Sequence, residues 1–190
     1  MHVYLETDRL VLRRFTEADV DNLAELDSDP EVMRFLTGGR PTPRERIRDE
    51  VLPRRIAEYQ RSPPLGIWAA ISRSNGEFEG WFALAPPKGA DADSDADEAE
   101  LGYRLRRAAW GRGLATEGSR ALVRKAFAEL GLRRVGAETM AVNTRSRRVM
   151  EKAGLRHVRT FHLDWDDPIE GVEHGEVEYE LRREDWAANR

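Results

Sequence analysis

The segment Trp110-Gly111-Arg112-Gly113-Leu114-Ala115-Thr116-Glu117-Gly118 constrains this chain more than any other. It joins an expected strand, Glu100 to Arg106, to an expected helix from about Thr116 to Leu130. That helix carries Leu122, Val123, Ala126, Phe127 and Leu130 on one face. Glycines at such a corner let backbone N–H groups approach an anion without interference from Cβ. The first helical turn adds unpaired donors and the positive end of the helix dipole. Arg112 adds a charge-assisted contact. The whole is a cradle suited to a diphosphate, although the glycines alone also suit a tight turn that holds nothing.

Three phosphate-binding patterns compete for this segment. A Walker loop has lysine after its second glycine; Gly113 and Gly118 have the spacing, but Ser119 stands in the lysine position. A dinucleotide fingerprint follows a first strand and has a third glycine, where this mid-chain turn has Thr116. A third pattern runs Gln or Arg, two residues, Gly, one residue, then Gly or Ala. Trp110 to Ala115 matches it everywhere except at the first position.

Around this corner the chain reads as a mixed sheet with helices packed on it. Arg9 to Phe15 is an expected strand, and Thr16 with Asp19 caps a helix to about Asp27. A short helix, Glu31 to Leu36, ends at Gly38-Gly39, and a longer one runs from Pro43 to about Arg61. Gly66 to Ser72 and Phe78 to Leu84 form a hairpin over Asn75-Gly76. After the glycine corner come a strand, Val135 to Val142, a helix, Arg145 to Ala153, and two strands, about Leu155 to Trp165 and Glu176 to Arg182.

The 190 residues, 40% hydrophobic and 35% charged with mean hydropathy −0.67, fit one globular domain spanning 1–190. The absence of cysteine removes disulfides, cysteine-zinc sites, Fe–S clusters and thiolate nucleophiles. Apolar runs such as Ile67 to Ile71 stop near five residues, against the roughly 18 of a membrane span. Met1 to Glu6 lacks the layout of a signal peptide, so the expected compartment is the cytoplasm, with no membrane partner. A net charge of −4 gives no reason to expect nucleic acid. The acidic stretch 90–98 invites a calcium reading, but an EF-hand opening at Asp91 would need Gly and Glu where Ala96 and Gly102 stand. It is expected to be a flexible solvated loop. His157 and His162 fall on opposite faces of one expected strand, so no metal site is expected.

The glycine segment resembles the coenzyme A pyrophosphate loop of the GNAT superfamily of N-acetyltransferases. Its Trp-Gly-x-Gly-x-Ala-Thr-Glu form is similar to the RimJ/RimL-like branch, related to ribosomal-protein N-terminal alanine acetyltransferases. Thr7 to Arg13 resembles the opening strand of that family and Glu100 to Leu105 its fourth strand. Ala141 to Leu155 resembles its second cofactor motif, and Glu178 to Trp186 its closing strand and tail. The resemblance implies a mostly antiparallel α/β (α+β) sheet with splayed fourth and fifth strands, helices on both faces, and acetyl-CoA as co-substrate. Leu105, Arg106 and Arg107 would offer backbone groups to pantetheine, a form of strand addition. Gly111 and the run Arg112, Gly113, Leu114, Ala115 and Thr116 would take the pyrophosphate. Asn143 would bond to the cofactor or fix the splay.

The implied reaction is attack of a neutral amine on a thioester. An α-amine, with pKa about 8, loses its proton more readily than lysine at about 10.4. Glu100 is the expected base, directly or through water, with Glu138 in reserve. The oxyanion is expected at a backbone N–H of Tyr103 to Leu105. Many superfamily members carry a tyrosine acid where this chain has Met150. Ser146 is the expected donor to the sulfur, Tyr103 a weaker alternative, and unassisted loss of the thiolate a third. The acceptor is a small-molecule amine or a protein N-terminus. The acidic 164–173 loop and the 28–40 segment are expected to wall its cleft, the former favouring a cation. Met150 and Trp110 also keep open a CoA-binding module with little catalysis. A homodimer through the last strands is left open.

Overall fold

The computed structural model describes residues 2–61, 63–87 and 97–188. Its described strands form one eight-stranded sheet in the order β1-β2-β3-β4-β5-β6-β8-β7. These are β1 (Val3–Glu6), β2 (Leu10–Arg13), β3 (Gly66–Ser72), β4 (Phe78–Ala85), β5 (Glu98–Leu105), β6 (Arg134–Met140), β7 (Arg156–Phe161) and β8 (Glu176–Arg182). Every neighbouring pair is antiparallel except β5 with β6. The helices are α1 (Val20–Ser28), α2 (Pro30–Thr37), α3 (Arg44–Arg46), α4 (Leu52–Arg61), α5 (Leu114–Ala128), α6 (Thr144–Lys152) and α7 (Arg183–Ala188).

Strand alternation separates two cores. Phe82, Leu101 and Leu105 face Leu114, Leu122, Ala126 and Phe127 of α5. Ala69 and Phe78 face Leu23 and Leu26 of α1 and Leu52 of α4. The mixed sheet covered on both faces is the architecture expected from the sequence.

The β5–β6 pairing is short. It joins Glu98 to Arg134, Ala99 to Val135 and Glu100 to Gly136, and stops. Beyond that point β5 stays on β4 as far as Leu105–Gly80, while β6 stays on β8 as far as Met140–Glu176. The two arms therefore diverge, as the expected splay requires. Glu79 is an extra residue in β4, because Ala70 pairs with Gly80 and Ile71 with Phe78. Such a bulge bends its strand. At Gly80 (φ 135°) a Cβ would sit 2.1 Å from the Arg104 carbonyl oxygen, so this approach of β4 to β5 requires glycine.

Several expectations need correction. Strand β1 and helix α7 were not expected; each is short, and α7 is held by Trp186 against Phe127 at 5.4 Å. The first expected strand shrinks to Leu10–Arg13. Arg13 clamps both oxygens of Asp19 at 2.8 Å, and a 3-10 turn, Glu17–Asp19, precedes α1. The helix expected from Pro43 contains a π turn, Ile47–Val51. Pro53 has no N–H for the Asp49 carbonyl, and the wider turn carries the chain past it. The strand expected to reach Trp165 ends at Phe161. Residues 88–96, most of the acidic stretch, lie outside the described residues.

Candidate active site

The corner after β5 is built as the sequence suggested. Gly111 and Gly113 take φ of 73° and 79°, left-handed values that favour glycine, and Gly113 caps α5. A Cβ at Gly111 would meet nothing within 4 Å, and one at Gly113 only the Arg9 guanidinium at 3.5 Å. The chain's own side chains leave the corner open. Leu114 is buried beneath it, whereas Ala115 and Thr116 are half-buried in the first turn of α5.

Residues that sequence reasoning passed over hold this corner. Arg9 donates from Nη1 to the Arg112 carbonyl at 2.8 Å and from Nε to Glu117 at 2.6 Å. Glu117 also accepts from the Thr7 hydroxyl at 2.6 Å and the Arg9 N–H at 3.0 Å. Burial raises the Glu117 pKa, but these donors outweigh it and hold the carboxyl below its ordinary value. Arg112 reaches back to the Glu79 carboxylate, buried at the bulge, at 3.2 Å. Trp110 donates its indole N–H to the Leu105 carbonyl at 2.9 Å, and the Arg145 guanidinium lies 5.2 Å from its ring centre. The available signals were an acid in a helix's first turn and an aromatic in place of Gln or Arg.

Of the expected pantetheine groups, the Arg106 N–H donates to the Glu79 carbonyl at 3.0 Å. Arg107 is exposed and pairs with Asp29 at 3.2 Å. Both ends of the Asn143 amide are engaged within the chain. Its Oδ1 accepts from the Ser146 N–H at 3.3 Å, capping α6, and its Nδ2 donates to Thr139 of β6 at 3.1 Å. That arrangement ties α6 to one arm of the fork.

Tyr103 reaches Ser146 across the fork, at 2.9 Å to Oγ and 3.0 Å to the carbonyl. Burial pushes its phenol up to about 12, against a lowering hydrogen bond from Ser146. Met150 is buried in the core. Glu100 does not join Tyr103 and Ser146. It is the last β5 residue paired to β6, and alternation puts it on the opposite face with Gly102 and Arg104. Glu138 is exposed on β6, opposite Glu178 of β8. The two expected catalytic residues therefore flank the fork from opposite sides of the sheet.

The two expected acceptor walls touch each other. Ile169 would meet a Cβ at Gly38 at 3.0 Å; Arg40 pairs with Asp167, and Arg34 with Glu170 at 3.5 Å. Asp167 and Glu170 are thus engaged by arginines, which weakens the attraction of this loop for a cation.

An open strand-to-helix corner beside a forked sheet fits a ligand with a diphosphate and an extended arm, as coenzyme A has. Fold and site together define an acyl-CoA-dependent transferase. A model of the acetyltransferase (GNAT) domain matches residues 9–156. The chain is 40% identical over 185 residues to FsC-acetyl coenzyme A-N(2)-transacetylase of Aspergillus fumigatus, covering 96% of this chain and 77% of that protein. A GNAT-family acetyltransferase from Bacillus anthracis superposes with a TM-score of 0.77 at 22% identity, over 97% of this chain and 99% of that one. Spermidine N-acetyltransferase from Vibrio cholerae, in complex with CoA and spermine, gives 0.74 at 12% identity, over 95% and 99%. The chain belongs to the GNAT family of acetyl-CoA-dependent N-acetyltransferases. No helix among the described residues is long and apolar enough to cross a membrane.

Proposed function

We propose that this chain, acting as one domain in the cytoplasm, acetylates a primary amine of a small molecule by direct attack with both substrates held at the fork. The observation that carries this is the end of β5–β6 pairing at Glu100 and Gly136, next to a glycine corner left open. Acetyl-CoA supplies an activated carbonyl and a thiolate leaving group. The Arg107 N–H and the second lone pairs of the Leu105, Arg106 and Arg107 carbonyls bind the pantetheine arm, while the Arg106 N–H stays with Glu79. Gly111 to Thr116 and the start of α5 hold the diphosphate. Glu100 removes the amine proton, directly or through a water, with Glu138 the reserve. A β5 backbone N–H between Tyr103 and Leu105 stabilises the developing oxyanion. Ser146, hydrogen-bonded by Tyr103, donates to the sulfur from the opposite face.

A small-molecule acceptor is favoured because the Aspergillus relative's name places its acetyl group on a nitrogen of FsC. The Trp110–Glu117 form supports a second reading, a protein N-terminus of the RimJ/RimL-like kind. Free-thiol release and product mass would be followed with acetyl-CoA against small amines and short peptides. A mass gain on small amines alone supports the first reading, and on peptides alone the second. CoA binding without turnover on any acceptor would overturn both.

A further inference from the structure

Arg55 of α4 is 9% exposed and stands between two aromatic rings. Its guanidinium carbon lies 5.2 Å from the centre of Phe15 and 4.9 Å from that of Trp81. Among the described residues its Nη1 is a buried donor without a hydrogen-bond partner, and so is the indole Nε1 of Trp81. Arg104 lies 5.2 Å from the same Trp81 ring and is the cross-strand partner of that residue. Asp27, the buried acid of this cluster, is bound to Arg104 and not to Arg55. Burial, and then the Arg104 charge, push the Arg55 guanidinium down to about 10, against Asp27, Tyr59 and Glu58.

A buried cation without a carboxylate is costly, and so are buried donors without acceptors. Asp27 is paired with Arg104, and among the described residues no carboxylate lies within ion-pair distance of Arg55, so its charge is not directly neutralised. Two orphan donors select an acceptor, and together with that charge they select an anion. The cluster is on the face of β5 that carries Glu100, and between Arg104 and Glu100 that face bears only Gly102. From Arg104 to Gly102 is about 7 Å of strand.

We infer that Arg55, Trp81 and Arg104 form the subsite for a carboxylate carried by the acceptor, so that the substrate class is amino acids and short carboxylated amines. The inference rests on the acetyl-transfer reading above and deepens it. The carboxylate accepts from the Arg55 and Trp81 donors while the amine reaches the fork beside Gly102. A polycation is repelled from the same place.

Two measurements test this. Initial rates would compare phenylalanine with phenethylamine, and β-alanine with ethylamine, in the wild type and in Arg55→Met. The carboxylated member is expected to have the higher kcat/KM by roughly 10- to 100-fold. Arg55→Met erases that preference, with the KM for acetyl-CoA as internal reference. Independently of turnover, propionate at constant ionic strength should raise the wild-type Tm saturably and leave that of Arg55→Met unmoved. Equal use of both members of each pair, or no saturable effect of propionate on the wild type, overturns the inference. If Arg55→Met does not fold, Trp81→Phe, which removes the other donor, takes its place in both measurements. If no amine is acetylated yet propionate stabilises only the wild type, the transfer reading fails and the anion site stands.

Discussion

The Tyr103 hydroxyl meets the Ser146 hydroxyl at 2.9 Å, so β5 is tied to the start of α6 across the gap where β5 and β6 no longer pair. This bond changes the weight given to two side chains. Tyr103 reads in the sequence as a residue packed in the sheet, and Ser146 equally well as a helix cap. Tyr103 has one proton to give, and the Ser146 carbonyl at 3.0 Å accepts it; the serine hydroxyl, 2.9 Å from the phenol oxygen, keeps its own proton to donate to that oxygen or to a sulfur in the gap. Ser146→Ala is expected to lower kcat by roughly 100-fold, the low end for loss of a general acid. Tyr103→Phe should lower it less. The check is steady-state kcat together with the KM for acetyl-CoA, which should change little.

Tyr103 also governs stability in alkali. Its folded-state pKa, about 12, exceeds the unfolded value of about 10. The folded state therefore binds the phenolic proton more tightly. The stabilisation is complete below pH 10 and is lost as pH rises from 10 to 12, by about 2–3 kcal/mol. Tyr4 and Tyr59, raised chiefly by burial, act in the same direction. Urea midpoints measured from pH 9 to 12 should fall less steeply in Tyr103→Phe than in the wild type.

Glu100 lies on the other side of the sheet, at the closed end of the fork. If it removes the amine proton, Glu100→Gln keeps the shape and loses the base. The expected result is a fall in kcat/KM of roughly 100-fold or more, with the KM for acetyl-CoA little changed. An unchanged kcat/KM in Glu100→Gln, with a fall in Glu138→Gln, would move the role to Glu138.

The parts of the fold legible in the sequence were those with a local cause. The Asn75-Gly76 turn, the apolar face of α5 and the Gly111–Gly113 corner each follow from nearby residues. The fork could be expected only through resemblance, because it is defined by where β5 stops pairing with β6, at Glu100 and Gly136, residues far apart in the chain. That stop has no local signature. The same holds for Arg9 and Glu117, whose side chains meet across 108 positions of sequence. Arg55 was invisible for a related reason. One arginine among the 28 of the chain reads as a surface charge until packing buries it.

Gly118 shows how closely α5 approaches the sheet. A Cβ there would lie 2.4 Å from the Phe82 ring, and Phe82 is fully buried. Neither side can yield easily. Gly118→Ala gains helix propensity of up to about 1 kcal/mol, but overpacking costs about 1–3 kcal/mol. Net destabilisation is expected, with a Tm fall of a few degrees for a chain of this size. Thermal unfolding followed by circular dichroism would measure it, and an unchanged or raised Tm would show that Phe82 has room to move.

The β4 bulge links the sheet to the corner through Glu79. Its carbonyl accepts from the Arg106 N–H at 3.0 Å, and its buried carboxylate holds Arg112 at 3.2 Å. The Phe78 carbonyl takes the Arg106 guanidinium at 2.8 Å. The bulge thus grips both residues that lead into the expected diphosphate site. Glu79→Gln preserves the backbone contacts and removes the charge that orients Arg112. Because the Arg112 side chain is half exposed, the effect should be moderate: a rise in the KM for acetyl-CoA of roughly 5- to 20-fold, with kcat nearly retained. Arg112→Gln should raise the same KM, and the double variant should be little worse than Arg112→Gln alone, because Glu79 acts through Arg112. CoA affinity by calorimetry should follow the KM. A fully additive double variant, or a loss confined to kcat, would show that the carboxylate does not position Arg112 for the diphosphate.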